Sequence, residues 1–170
     1  MVERVLDRER ALAVMRASHP AKPGSKLLLA EEIEVTVLAC ERDFYTLRFE
    51  HERSVTELLE RYGHLPLPPY ISRSADKADE TRYQTVYARQ PGAVATPTAG
   101  LHFDENMLNV LRNMGVVITY ITLHVGSGTF QPVRVENIAD HTMHREIFHV
   151  PAETAGAIER AKAEGRSVIA

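Results

Sequence analysis

A chain of 170 residues, 44% hydrophobic and 25% charged, can bury a core without disulfide staples, and its single cysteine, Cys40, excludes an internal disulfide. A net charge of −3 excludes a chain-wide basic footprint for nucleic acid. Contact with RNA would need a local patch such as Arg4, Arg8, Arg10, Arg16, Lys22 and Lys26, which also reads as a solvated face balanced by Glu3, Asp7 and Glu9. No apolar stretch approaches the roughly 20 residues of a membrane helix, and Met1–Arg4 lacks the regions of a signal peptide. Cys40 ends the apolar run Val35–Cys40 and reads as a small buried hydrophobe. One unpaired cysteine fits a reducing cytoplasm.

Residues 2–16 admit two readings, a helix by composition or a hairpin folded around Asp7-Arg8-Glu9-Arg10. Lys26–Leu29, Ile33–Cys40 and Phe44–Phe49 are predicted strands, separated by turn signals. Ile33, Val35 and Val37 alternate with Glu34 and Thr36, the period of a half-buried strand. Short strands at this spacing suggest a small antiparallel β-barrel over residues 1–54.

Ser54–Tyr62 is a predicted helix, with Ser54 as cap, Glu57 completing a capping box and Gly63 ending it. Three prolines among Pro66-Leu67-Pro68-Pro69 then impose an extended segment. A domain boundary is expected just before this helix. Residues 55–170 alternate helix and strand in the manner of part of an α/β-barrel-like domain. The expected elements are a helix over Asp76–Tyr87, a short strand at Ala93–Ala95, a helix over Asp104–Met114 and a strand over Val116–Val125. A strand at Ile147–Val150 and a helix over Pro151–Ala163 follow. Ser167–Ala170 begins a buried-looking strand that the chain leaves unfinished. That pattern suggests truncation, and an unfinished sheet edge through which such a piece could self-associate.

Three loops carry the residue types of a site. Thr96–Phe103 joins a strand to a helix, where small residues and Gly100 let backbone approach a ligand. Thr122–Phe130 opens into Gly126-Ser127-Gly128, a backbone able to hold a carboxylate or a sugar edge. His141, His144 and Glu146 form the third, with His102 and His124 on the other two. Histidine with carboxylate can hold zinc, so a metal-dependent hydrolase is one reading. Neutral histidines binding sugar hydroxyls or bases is another, and a non-catalytic RNA-binding module is a third.

The order of these segments resembles the S-adenosylmethionine:tRNA ribosyltransferase-isomerases of queuosine biosynthesis. The resemblance rests on Pro66–Ile71 with Arg73, Tyr83–Ala88, Gly92–Phe103, Thr122–Val133 and His141–Glu146. Thr96 and Ser127 stand where the family pattern has alanine. It covers nearly the whole chain and is weakest over residues 30–60. Family members are about twice this length, so the chain resembles an internal piece of one.

The resemblance implies transfer and isomerisation of the ribosyl part of S-adenosylmethionine onto 7-aminomethyl-7-deazaguanine (preQ1) at the tRNA wobble position. The products are epoxyqueuosine, adenine and methionine. It implies a catalytic domain with an inserted β-barrel, no metal or other cofactor, a tRNA anticodon arm as partner, and a monomeric cytoplasmic parent. The chain alone is expected to be inactive. His102, His124, His141, His144 and Glu146 are the candidate acids and bases. Tyr70, Arg73, Pro97, Thr98, Gly100, Phe103, Gly126, Gly128 and Thr129 are the candidate substrate-binding residues, with Tyr70 and Phe103 available to stack on a base.

Overall fold

Alternating apolar residues in the first third pair into one antiparallel sheet. The computed structural model describes residues 1–16, 19–133, 135–140 and 144–170. Strands β1 (Val2–Val5), β2 (Arg10–Val14), β3 (Lys26–Leu29), β4 (Ile33–Glu41) and β5 (Phe44–Phe49) lie in the order β1-β2-β5-β4-β3. The ambiguity over residues 2–16 resolves as a hairpin. The Asp7 carboxylate accepts from the backbone N–H groups of Glu9 and Arg10 at 3.0 and 2.8 Å and pairs with Arg10 Nε at 2.6 Å. An aspartate that binds its own backbone two and three residues on favours a turn over a helix.

The expected barrel is an open sheet among the described residues, with β1 and β3 as its edges. Both edge strands are only four residues long, and a helix rather than strand closure covers the apolar face. Helix α1 (Val55–Tyr62) inserts Val55 and Leu58 among Ala11, Val35, Val37 and Leu47, so α1, expected at the head of the second unit, joins the sheet's core. Its capping box forms as read: Glu57 N–H donates to Ser54 Oγ at 3.3 Å and Ser54 N–H to Glu57 Oε2 at 2.7 Å. Such a cap contributes about 1 kcal/mol. Tyr62 donates its hydroxyl to Glu32 Oε2 at 2.6 Å and ties the helix to the β3–β4 turn. Cys40 is exposed, not buried, because it lies beyond Val37 toward the end of β4.

The second part is mixed, with helices α2 (Lys77–Arg82), α3 (Glu105–Asn113) and α4 (Ala152–Ala163) and the strands β6 (Thr122–His124) and β7 (Ile147–His149). Those strands pair antiparallel, not in the parallel manner of a half-barrel. The helix expected over Asp76–Tyr87 stops at Arg82. The Tyr83 carbonyl accepts from Thr96 Oγ1 at 2.7 Å instead of a helical amide. The strand expected from Val116 to Val125 shrinks to Thr122–His124, and Ser167–Ala170 is not a strand; Ile169 is 93% exposed. A strand needs a neighbour for its backbone groups, and no described strand lies beside either run. Ala93–Ala95 is reduced to an isolated antiparallel bridge between Ala95 and Val125. No helix among the described residues is long and apolar enough to cross a membrane.

Candidate functional site

The Ala95–Val125 bridge sets two turns side by side. Val94 and Ala95 donate to the Val125 carbonyl at 2.8 and 3.2 Å, and each strand then opens into a short 3-10 helix, Thr98–His102 and Ser127–Phe130. The proline-rich segment faces both. Tyr70, Pro97, Thr98 and Thr129 line one cavity of about 760 Å³, together with Tyr83 and Phe130. Tyr70 is 78% exposed, so its ring face is free for a planar ligand. Burial pushes the Tyr83 phenol up from its ordinary value of 10.

A larger cleft of about 2460 Å³ adjoins it across Val125, Gln131 and Pro132, and His124, Gly126, His144 and Glu146 line that cleft. His124 sits at the end of β6 against Gly92, whose φ of +135° is a conformation reserved for glycine. A Cβ on Gly92 would lie 2.8 Å from His124 Nδ1. Among the described residues that Nδ1 and Ser127 Oγ are buried polar atoms without a hydrogen-bond partner, and Ser127 is only 1% exposed. Buried unpaired donors and acceptors are scarce in folded proteins, so two within four residues single out this turn. The His144 ring packs over Gly128 and meets Phe44 edge-on, with centroids 6.1 Å apart. Glu146 Oε1 accepts from Gly126 N–H at 3.3 Å.

The remaining expected residues lie elsewhere. His102 and Phe103 are exposed at the end of the first 3-10 helix and line neither cavity. Gly100 is buried and serves packing, since a Cβ there would collide with the Tyr87 hydroxyl and lie 2.7 Å from the Thr85 methyl. His141 falls outside the described residues. Among the described residues no group of three His, Cys, Asp or Glu is arranged to hold a metal ion. Sequence reading missed Tyr83 and Phe130 as lining residues, although both stand inside segments already singled out. It missed Glu3 entirely, because Glu3 reaches the site only across the tertiary fold: its Oε2 accepts from Ser127 N–H at 2.9 Å.

Arg73, expected to bind substrate, is committed to structure. Its guanidinium forms two hydrogen bonds to Asp79, at 2.5 and 2.8 Å, and Asp79 also accepts from the Asp76 N–H at 2.9 Å. The Arg73 bonds, then the Asp76 N–H, hold the Asp79 carboxyl well below its ordinary value of 3.8. A carboxyl depressed on folding stabilises the fold above its unfolded value, and the gain is lost as pH falls through the folded value. Amide exchange of α2 is therefore expected to be flat from pH 7 to about 5 after correction for intrinsic rates. Protection should then fall progressively below pH 3.8, and Asp79→Asn should remove this dependence. An unchanged acid profile in that variant counts against the Arg73–Asp79 pair as the cause.

With this geometry in place, the whole chain, residues 1–170, matches the family model described as queuosine biosynthesis protein. A Nitrosospira multiformis protein named S-adenosylmethionine:tRNA ribosyltransferase-isomerase is 71% identical over 170 residues, all of this chain and 48% of that protein. Proteins of the same name from Nitrosomonas eutropha and an Azoarcus species are 58% and 55% identical, again over the whole chain and 49% of each relative. The chain thus spans about half the length of the curated relatives it matches.

Proposed function

The chain belongs to the queuosine biosynthesis protein family, and from that membership we propose that it carries part of the S-adenosylmethionine site of a tRNA ribosyltransferase-isomerase. The parent reaction transfers the ribosyl group of S-adenosylmethionine to 7-aminomethyl-7-deazaguanine in the tRNA anticodon arm and isomerises it, releasing adenine and methionine. S-adenosylmethionine enters as a substrate, and the setting is the cytoplasm, where tRNA is modified.

One observation carries this reading: a cavity with aromatic walls adjoins a cleft lined by His124, His144 and Glu146, and the segment between them holds two buried polar atoms without a partner among the described residues. The chemistry asks for a base beside the sulfonium carbon, an acid for the departing adenine and partners for the ribose hydroxyls. His124, His144 and Glu146 can serve these needs from one side. Tyr70 and Tyr83, with Pro97, Thr98 and Thr129, suit a planar base held by stacking and a few polar contacts. His102, Phe103 and Arg73 are left out, since none of them lines either space. The metal-dependent hydrolase built on His102, His124, His141 and His144 is the weaker alternative, because His102 lines neither of the two spaces while His124 and His144 share one.

Titration of the 170-residue chain with S-adenosylmethionine is expected to give saturable amide shifts concentrated in residues 94–98 and 124–132. His124→Ala should weaken binding about tenfold or more, the loss of one well-made hydrogen bond to a charged ligand. Saturable shifts confined to other segments, or equal affinity in the variant, would overturn the assignment. Because whole relatives are about twice as long, the chain by itself is expected to release no adenine with preQ1-bearing tRNA. Adenine release would overturn that part.

A further inference from the structure

We propose that Glu3, on the first strand of the five-stranded sheet, is a positioning residue that holds the Gly126–Phe130 turn, so that the sheet is a wall of the site. This rests on the reading of that turn as a binding loop.

The register of β1 against β2 runs Val2 to Ala13 and then Arg4 to Leu12, so Glu3 is the extra residue of a bulge. A bulge leaves one residue out of the ladder and re-aims its side chain. Here the side chain leaves the sheet and reaches a turn 124 residues away, where Glu3 Oε2 accepts from Ser127 N–H at 2.9 Å. The other carboxylate oxygen rests on Gly126, at 2.5 Å from the point a Cβ would occupy, so a side chain at position 126 would displace it. Glu146 takes the Gly126 N–H. Two successive amides of the turn are thus each held by a carboxylate, one from the sheet and one from the segment leading into β7.

Gly126 and Ser127 are buried, and a buried backbone N–H left without a partner is costly, so those bonds matter to the turn. The sheet makes a second contact with the site through Phe44, at the start of β5, which meets the His144 ring edge-on. Glu3, Phe44, His124, His144 and Glu146 all line the same cleft. An accessory sheet that only held tRNA would have no cause to send a bulged carboxylate into this turn.

Hydrogen exchange of the 170-residue chain and titration with S-adenosylmethionine test the assignment together. In Glu3→Ala the Ser127 amide is expected to exchange at least about tenfold faster, as one charge-assisted bond is lost, and affinity to fall by a similar factor. Glu3→Gln keeps an acceptor oxygen and should restore both toward wild type, which a merely packed side chain would not require. Unchanged Ser127 exchange in Glu3→Ala overturns the assignment. Tighter binding in Glu3→Ala also overturns it, since Glu3 would then only be occupying an anion site. Faster Ser127 exchange in Glu3→Ala, with no binding by the wild-type chain, upholds Glu3 as the anchor and overturns the turn as a binding loop.

Discussion

Leu58→Ala is expected to destabilise the chain by about 2–5 kcal/mol, the range for truncating a fully buried leucine. Leu58 is 1% exposed and belongs to the cluster formed by Ala11, Val35, Val37, Leu47, Phe49 and Val55. Truncation removes its own burial and leaves a cavity between a helix and a sheet joined at both ends, with little room to collapse. Single domains have total stabilities of about 5–15 kcal/mol, so the loss is a large share of the whole. Urea denaturation followed by far-ultraviolet circular dichroism would show a lower midpoint at constant slope. Met107→Ala on α3 is the comparison: Met107 is 44% exposed, and a change of no more than about 0.5 kcal/mol is expected. Equal costs at the two positions would mean that α1 does not belong to the sheet's core.

The second large effect is expected at Gly128. Its backbone carries no left-handed strain, so an alanine there fails only by crowding. The new Cβ would lie 2.5 Å from His144 Cγ and 2.6 Å from His144 Cβ. The Cβ is not the end of a flexible side chain, so the whole of His144 must move, and with it the ring's contact with Phe44. Overpacking of this kind costs about 1–3 kcal/mol. In Gly128→Ala that cost should appear as displaced His144 ring resonances and affinity for S-adenosylmethionine reduced at least about tenfold. Gly115→Ala provides the contrast. Gly115 has φ of +82° with no atom within 4 Å of the added Cβ, so strain at the end of α3 should lower stability without touching affinity. Wild-type affinity in Gly128→Ala would remove His144 from the site.

Much of the local structure was legible because its causes lie within a few residues. The alternation Ile33-Glu34-Val35-Thr36-Val37 makes a half-buried strand wherever a partner exists, and β4 buries Ile33, Val35 and Val37 as that pattern requires. Ser54 and Glu57 satisfy each other across one helical turn, and Asp104 accepts from Met107 N–H at 2.7 Å, so both helix starts could be read directly. The loops proposed to carry the site stand out in the sequence because glycines and histidines concentrate there.

What needed the tertiary structure was every property that depends on a distant neighbour. Val116–Ile121 has strand-forming residues, yet strand formation is a pairing event and no described strand pairs with it. Arg73 and His124 are both polar residues in family-like segments. Folding assigns the first to Asp79 and leaves the second, in the lining of a cleft, with a buried nitrogen that has no partner among the described residues. Glu3 carries no local signal at all. The amino-acid sequence by itself determined which segments could turn, coil or pleat, since those choices are settled by side chains within a turn's reach. The tertiary structure alone decided which of their polar groups are paired within the fold and which are left without a partner among the described residues, since burial and hydrogen-bond partners come from residues far apart in the chain.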